Sequence, residues 1–293
     1  QDADDNWTAQ AWSRTVSNGQ HYITVPDGAV YAGSVLHSYK GIMPLFEADF
    51  VVKDGTKGIA EYAFKDNGVI GSLTIPASVE MIGSYAFKNC SNLTELNIAE
   101  GSKLRLIREY SFGDCGLTSM NLPESLEIIE NSSFTDNDFE SVYIPQNVKK
   151  IESAFGLNGK LKKFEVSPDN KYYSTDEYGA LFSKDKTVLY YFPANTDLYE
   201  YTVPESVIHI GDNAFSKCQL KKLVFNDTLQ STGRSLFFQC YIDVIDLGKG
   251  LNALTDDVFH SNWNTAYLTI PENIKTIEQG SLGYQLNYLY FPS

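Results

Sequence analysis

The sequence is short of basic residues, of histidine and cysteine, and of long apolar runs, and each shortage removes a class of function. Lysine and arginine number 23 against 37 aspartates and glutamates, a formal net charge of −14, and the basic residues form no cluster. Binding to nucleic acid or to an anionic leaflet depends on a cationic patch that releases counterions, so neither is an expected partner. No stretch approaches the ~18 consecutive apolar residues that cross a bilayer. The chain opens on Gln-Asp-Ala-Asp-Asp with no charged-then-apolar leader, and is expected to be a soluble mature chain whose export signal has been removed.

Catalytic and metal chemistry is equally thin. His21, His37, His209 and His260 share no ligand spacing, and the four cysteines contain no Cys-x-x-Cys, so no zinc site is expected. His209 lies between core positions of the pattern described below and is expected on the outer turns. There is no Gly-x-Ser-x-Gly, and no Ser/His or Cys/His arrangement argues for a triad. Asp136-Asn137-Asp138 and Asp256-Asp257 lack EF-hand spacing and read as solvated turn acids. Gly248-Lys249-Gly250 begins a Gly-x-Gly-x-x-Ala, but no helix and no ribose-binding acid complete it. No cofactor is expected.

What is abundant is aromatic and aliphatic side chains: 19 Tyr, 17 Phe and 43% hydrophobic residues, the composition of a folded chain. They recur. One copy reads Ser72-Leu73-Thr74-Ile75-Pro76, then Val79, Ile82, Ala86-Phe87 and Cys90; another reads Tyr201-Thr202-Val203-Pro204, then Val207, Ile210, Ala214-Phe215 and Cys218. The phenylalanine returns at Phe64, Phe87, Phe112, Phe134, Phe155, Phe215, Phe237 and Phe259, with Leu282 in the last copy. The upstream pair keeps its spacing of three at Val79/Ile82, Leu104/Ile107, Leu126/Ile129, Val148/Ile151, Val207/Ile210, Leu251/Leu254 and Ile274/Ile277, and more weakly at Leu229/Thr232. From Phe155 to Phe215 the step is 60, which predicts two irregular copies around Ala180-Leu181-Phe182.

A unit of ~22 residues is too small to bury its own apolar face, so the copies must stack and share one core. The expected fold is a β-rich repeat solenoid, with one short strand per coil and successive strands parallel and ~4.8 Å apart. Segments such as Glu130-Asn131-Ser132-Ser133 are short and rich in turn formers, which predicts turns or single helical turns on the outer face. Residues 1–47 are expected to form an N-terminal cap, with Trp7–Trp12 opening a short helix and Tyr22–Pro26 a degenerate first repeat. Residues 48–293 form about ten coils, irregular between 166 and 203. Leu286–Pro292 reads as the last strand.

Cys90, Cys115, Cys218 and Cys240 all lie three residues after the repeated Phe, where other copies carry Asn67, Asn137, Asn158 and Asn262. A slot that accepts Cys or Asn predicts a buried turn whose small side chain bonds backbone. Side chains stacked in parallel register point the same way and rarely reach a disulfide torsion, so free buried thiols are expected.

The motif Ile-x-x-x-Ala-Phe-x-x-Cys/Asn-x-x-Leu-x-x-Leu-x-Ile-Pro resembles the BspA-type leucine-rich repeat, and so does the insert Val166–Asp185 with its Tyr178-Gly179-Ala180-Leu181-Phe182. The resemblance implies a right-handed leucine-rich-repeat superhelix with a short-stranded parallel sheet on its concave face. It also implies a bacterial surface or exported protein with a role in adhesion or host-protein binding. The chain departs from the fullest pattern at Thr232, Gly248 and Leu282.

With the apolar strand residues inward, alternate residues point onto the sheet face. The two outward columns are polar and mixed through Ser72/Thr74, Glu95/Asn97, Ser141/Tyr143 and Lys163/Glu165, then turn aromatic and apolar at Val224, Val244/Asp246, Tyr267 and Tyr288/Tyr290. Tyr143, Tyr267, Tyr288, Tyr290, Val224, Val244 and Asp246 are therefore the candidate ligand-binding residues: an exposed Tyr gives contact area at little entropic cost. The alternative for the tyrosines is cross-strand stacking that only supports the sheet. The preferred reading is a non-enzymatic, adhesin-like binding protein, at the bacterial cell surface or extracellular, for a protein or glycan, with any lipid or surface anchor outside this chain. A solenoid enzyme of polysaccharide-lyase type, for which Lys163 beside Glu165 is the nearest acid/base pair, and a purely structural spacer are the alternatives.

Overall fold

A computed structural model describes residues 28–40, 48–255, 257–259, 267–282 and 288–291. The expected helix at Trp7–Trp12, the degenerate repeat at Tyr22–Pro26, and Asn262 lie outside the described residues. The described residues form a parallel β-solenoid of eleven coils, counted by the strands Asp49–Val51, Ser72–Ile75, Glu95–Ile98, Ser119–Met120, Ser141–Ile144, Lys163–Val166, Glu200–Thr202, Gln219–Val224, Tyr241–Asp246, Tyr267–Thr269 and Tyr288–Tyr290. Paired neighbours are in register: Leu73 lies opposite Leu96, Val142 opposite Phe164, Ile245 opposite Leu268 and Leu268 opposite Leu289. A one-residue slip would turn each apolar row into solvent, which is why the alternating pattern fixes this register.

All but the last of these coils carry a second strand among the described residues, which corrects the expectation of one per coil. Gly58–Ile59, Met81–Ile82, Leu106–Ile107, Ile128–Ile129 and Lys150–Ile151 form a parallel sheet on another side of the coil, and His209–Ile210 and Ser231–Thr232 continue such pairing later in the chain. Two residues are too few for a period of two to show in the sequence. His209, expected on the outer turns, lies in this short-strand sheet, with Nδ1 2.8 Å from Ser231 Oγ. At the N-terminal end the sheet is extended by the antiparallel hairpin Gly28–Ala32 and Val35–Lys40, whose second strand pairs parallel with Gly58–Ile59.

No helix forms among the described residues, and the backbone hydrogen bonds give the reason. The amide of Phe64 donates to Ala86 O (2.6 Å), Phe87 to Ser111 O (2.7 Å), Phe112 to Ser133 O (2.8 Å) and Phe134 to Ala154 O (2.9 Å). Donors that a helix would turn on the same segment instead reach the next coil. The turn that aims them requires left-handed backbone two residues either side of the Phe, at Tyr62/Asp66, Tyr85/Asn89, Tyr110/Asp114 and Ser132/Asp136. Each such non-glycine residue costs roughly 1–2 kcal/mol, offset here by intercoil bonding.

The phenylalanines stack through the interior. Ring centroids are 5.3 Å apart for Phe64–Phe87, 5.2 Å for Phe87–Phe112, 5.4 Å for Phe112–Phe134 and 5.6 Å for Phe134–Phe155, with interplanar angles of 15° or less. The row resumes with Phe215–Phe237 at 5.9 Å and Phe237–Phe259 at 4.9 Å.

Between the two rows lies one enlarged coil, where the spacing predicted two irregular copies. It contains the long strand Lys163–Val166, an antiparallel excursion through Tyr173–Thr175 and Leu181–Ser183, and the strand Val188–Tyr191, which rejoins the short-strand pairing at His209–Ile210. Tyrosine hydroxyls bridge the break: Ile151 N donates to Tyr173 Oη (2.6 Å) and Phe155 N to Tyr191 Oη (3.1 Å). The core divides here as well, into a cluster from Leu36 to Tyr191 and another from Ala180 to Ile270.

Candidate functional site

On the long-strand face the outward columns stand in solvent as the alternation requires. Ser72 Oγ donates to Asp49 Oδ1 (2.8 Å), Asn97 Nδ2 to Glu95 Oε1 (2.8 Å), and Lys222 Nζ to Glu200 Oε1 (2.8 Å), while Lys163 pairs with Glu165. The N-terminal and central part is thus a lattice of small polar contacts, each of modest energy at an exposed position. Tyr143 is 41% exposed within it, beside Glu165 in the adjacent strand.

The C-terminal tyrosines come together. Tyr267 and Tyr288 stack at 5.2 Å and 12°, and Tyr267 lies 6.4 Å from Tyr290, with all three about half exposed. Their rings face one another, so much of the flat surface is already covered and the edges and hydroxyls face outward. Val244 is exposed and Val224 only half-buried, so Val224 contributes less to this surface than its column implied. Asp246 is exposed, but its Oδ1 accepts from Gly248 N (3.0 Å) and closes its own turn.

The Cys/Asn slot is a hydrogen-bond ladder. Cys90 Sγ donates to Phe64 O (3.2 Å), Cys115 Sγ to Phe87 O (3.1 Å), Asn137 Nδ2 to Phe112 O (2.8 Å), Asn158 Nδ2 to Phe134 O (3.0 Å) and Cys218 Sγ to Phe192 O (3.7 Å). Each side chain therefore satisfies the carbonyl of an aromatic residue in the preceding coil. Asn does more, because Asn137 Oδ1 accepts from Leu117 N (3.1 Å) and Asn158 Oδ1 from Asn137 N (2.8 Å). Asn67 Oδ1 accepts from Val69 N (2.9 Å) and Ile70 N (3.1 Å). All four cysteines are buried free thiols. Burial pushes the Cys90 thiol up to about 12 and raises Cys115, Cys218 and Cys240 as well, so none is a ready nucleophile.

Three features lie outside the sequence-based expectations. A second ladder precedes the V-x-x-I pair: Ser78 Oγ donates to Thr56 O (2.8 Å), Ser125 Oγ to Leu104 O (2.8 Å), Asn147 Nδ2 to Glu124 O (2.7 Å) and Thr228 Oγ1 to Glu205 O (2.6 Å). Its signal is only a polar residue of varying type at one phase. On the outer turn Tyr62, Tyr85 and Tyr110 stack at 5.2 Å per step, and Lys88 Nζ sits 4.3 Å over the Tyr110 ring. This row was readable, as a Tyr two residues before Phe in three consecutive copies. The third feature is a groove beside the enlarged coil, where Tyr178, Tyr199 and Tyr241 are all exposed. Below it, Tyr201 is buried and donates to Asp176 Oδ2 (3.0 Å); burial and that carboxylate hold its hydroxyl well above the usual range.

The repeat geometry and its sequence pattern match the BspA type leucine-rich repeat region over residues 57–179 and 186–293, in six copies. The chain belongs to the BspA-type leucine-rich repeat family. No curated protein matches it. Among solved structures, a leucine-rich cell surface protein of Faecalibacterium prausnitzii is 20% identical over 88% of this chain and 86% of its own, with a TM-score of 0.58. The pneumococcal vaccine antigen PcpA is 23% identical over 82% of this chain and 62% of its own, TM-score 0.62. A leucine-rich repeat protein of Eubacterium ventriosum is 18% identical over 88% and 90%, TM-score 0.60. At these identities the likeness is one of fold, that of a BspA-type solenoid. No helix among the described residues is long and apolar enough to cross a membrane.

Proposed function

We propose that this BspA-type solenoid is a non-enzymatic binding protein, extracellular or displayed on a bacterial cell surface, that recognises a protein or glycan through its long-strand face. The observation that carries the reading is the division of labour along each strand. Inward residues such as Leu73, Leu223 and Ile245 are fully or almost fully buried and uniformly apolar, while the outward columns differ from coil to coil. A scaffold whose interior is uniform and whose face varies presents a rigid, address-like surface at no cost in stability. The half-exposed Tyr267, Tyr288 and Tyr290 give that face an aromatic end of the kind enriched in recognition surfaces. A place at the cell surface also fits the description of the Faecalibacterium structure as a leucine-rich cell surface protein.

The test is binding to extracellular-matrix and glycan arrays by the wild type and by a Tyr267→Ala/Tyr288→Ala/Tyr290→Ala variant. Hits lost in the variant support the aromatic end as the contact surface; hits retained remove it. Turnover of an acidic polysaccharide would overturn the non-enzymatic reading in favour of a solenoid lyase.

A further inference from the structure

Repeat proteins concentrate shape where the repeat is interrupted, and this chain is interrupted once among its described coils. Beside the enlarged coil, Leu198, Tyr199, Gln219, Lys221, Tyr241 and Asp243 line a concavity of about 560 Å³. A smaller one of about 230 Å³, walled by Tyr178 and Asn195, adjoins it through the shared residues Thr196, Asp197 and Leu198. Together they form one groove, in the size range of small-ligand sites.

Its walls differ from the C-terminal tyrosine cluster. Tyr199 is 71% exposed, more than any other large hydrophobic residue described, and Tyr241 and Tyr178 are 44% and 41% exposed. Tyr199 O accepts from Lys221 N (2.9 Å) and Tyr241 N donates to Cys218 O (2.8 Å), which places these two tyrosines on coils two apart, roughly 9.6 Å along the stack. Gln219 and Lys221 stand on the coil between them, with Asp197 on the coil of Tyr199 and Asp243 on the coil of Tyr241. The side chains of Asp197 and Gln219 make no hydrogen bond or ion pair among the described residues, and Asp243 is held by Lys221 at 2.9 Å. Aromatic faces set at intervals, with carboxylate and amide groups around them, are complementary to a sugar chain. The apolar C–H face of a pyranose lies on the ring, and its hydroxyls donate to the carboxylates and accept from the amide.

We propose that this groove is a glycan-binding site that takes a neutral oligosaccharide of two or more sugar units. Neutrality follows from the charges: of the two lining lysines, Lys162 already serves Glu140 and Lys221 serves Asp243, Asp197 has no ion-pair partner among the described residues, and the chain carries −14 overall, so an anionic sugar is repelled. A protein ligand fits this groove less well, because protein hot spots cluster in well-packed, fully desolvated pockets. Here polar groups interrupt the apolar wall. The groove lies outside the Tyr267/Tyr288/Tyr290 cluster, and the proposal stands whether or not that cluster binds.

The experiment is affinity electrophoresis through gels containing mixed-linkage β-glucan, xyloglucan, galactomannan, arabinoxylan or, as the anionic counterpart, polygalacturonate, together with a glycan array of neutral oligosaccharides. Any hit is followed by calorimetry with the matching hexasaccharide. The proposal expects retardation by at least one neutral glycan, at least about a tenfold loss of affinity in Tyr199→Ala/Tyr241→Ala, a smaller loss in Asp197→Asn, and unchanged affinity in the Tyr267/Tyr288/Tyr290 triple alanine variant. Circular dichroism establishes that each variant is folded, and Gln219→Ala serves as a second groove variant should the double one unfold. No neutral hit, a preference for polygalacturonate, or full binding by folded groove variants would overturn it. Binding lost only in the triple variant would overturn it too, while supporting recognition by the long-strand face.

Discussion

Replacing Asn137 by alanine should destabilise this protein far more than its size suggests. The side chain is 4% exposed; Nδ2 donates to Phe112 O and Thr135 O, and Oδ1 accepts from Leu117 N. Thr135 O keeps a second donor in Asp114 N, so alanine orphans two groups, Phe112 C=O and Leu117 N–H. At about 1–3 kcal/mol for each buried unsatisfied group, the loss should be about 2–6 kcal/mol. Cysteine, the residue that other coils use, restores a donor to Phe112 O but no acceptor for Leu117 N, so Asn137→Cys should fall midway. Asp138→Ala removes only the exposed pair with Lys160 and should cost less than about 0.5 kcal/mol. Urea unfolding followed by far-ultraviolet circular dichroism reads the three midpoints, with the slope checked because stacked coils need not unfold together. The reasoning is refuted if Asn137→Ala behaves like Asp138→Ala, or if Cys is no better than Ala.

The four thiols should be silent to a thiol reagent in the native protein and all titrate on unfolding, since they are free, buried and raised in pKa; fast native labelling, or a mass deficit from a disulfide, would contradict this. Glu127, bonded by Arg105 (2.6 Å) and Lys149, has its carboxyl held down to about 2 from an ordinary 4.5. The pairing therefore contributes stability above about pH 4.5, and that contribution disappears as pH falls towards 2. Glu127→Gln should flatten the fall in urea midpoint over that range, and a fall identical to wild type would remove the triad from the account. Gly250→Ala should destabilise by about 1–3 kcal/mol, because its Cβ would stand 2.6 Å from Leu229 N, which thermal melts of folded variant and wild type can compare.

The last case shows what was legible in the chain and what was not. Gly248-Lys249-Gly250 mimics a phosphate loop because close backbone approach needs glycine in either setting; here the approach is between coils, with Gly248 at φ +57° and little room beyond Phe225 O. The Phe row and the Cys/Asn slot were readable because each recurs at one phase with one chemistry. The second ladder was not, since Ser78, Asn147 and Thr228 share only a polar atom that reaches the previous coil. Two-residue strands such as Met81–Ile82 leave no periodicity at all. The enlarged coil was misjudged because spacing counts residues, whereas Tyr173–Thr175 and Leu181–Ser183 leave the coil path and return without adding a turn. The groove beside it was invisible, because Tyr178, Tyr199 and Tyr241 occupy three different phases and Tyr178 lies on the detour itself.

The most direct test of stacked, equivalent coils is a set of spin-label distances along one outward column. With cysteine labels at Asp49, Ser72, Ser141 and Lys163, which the buried native thiols leave undisturbed, pulsed electron resonance should give distances that rise by about 4.8 Å for each coil between labels. Label pairs whose separations fail to rank by coil number would contradict the shared stack, and with it every position assigned from the repeat.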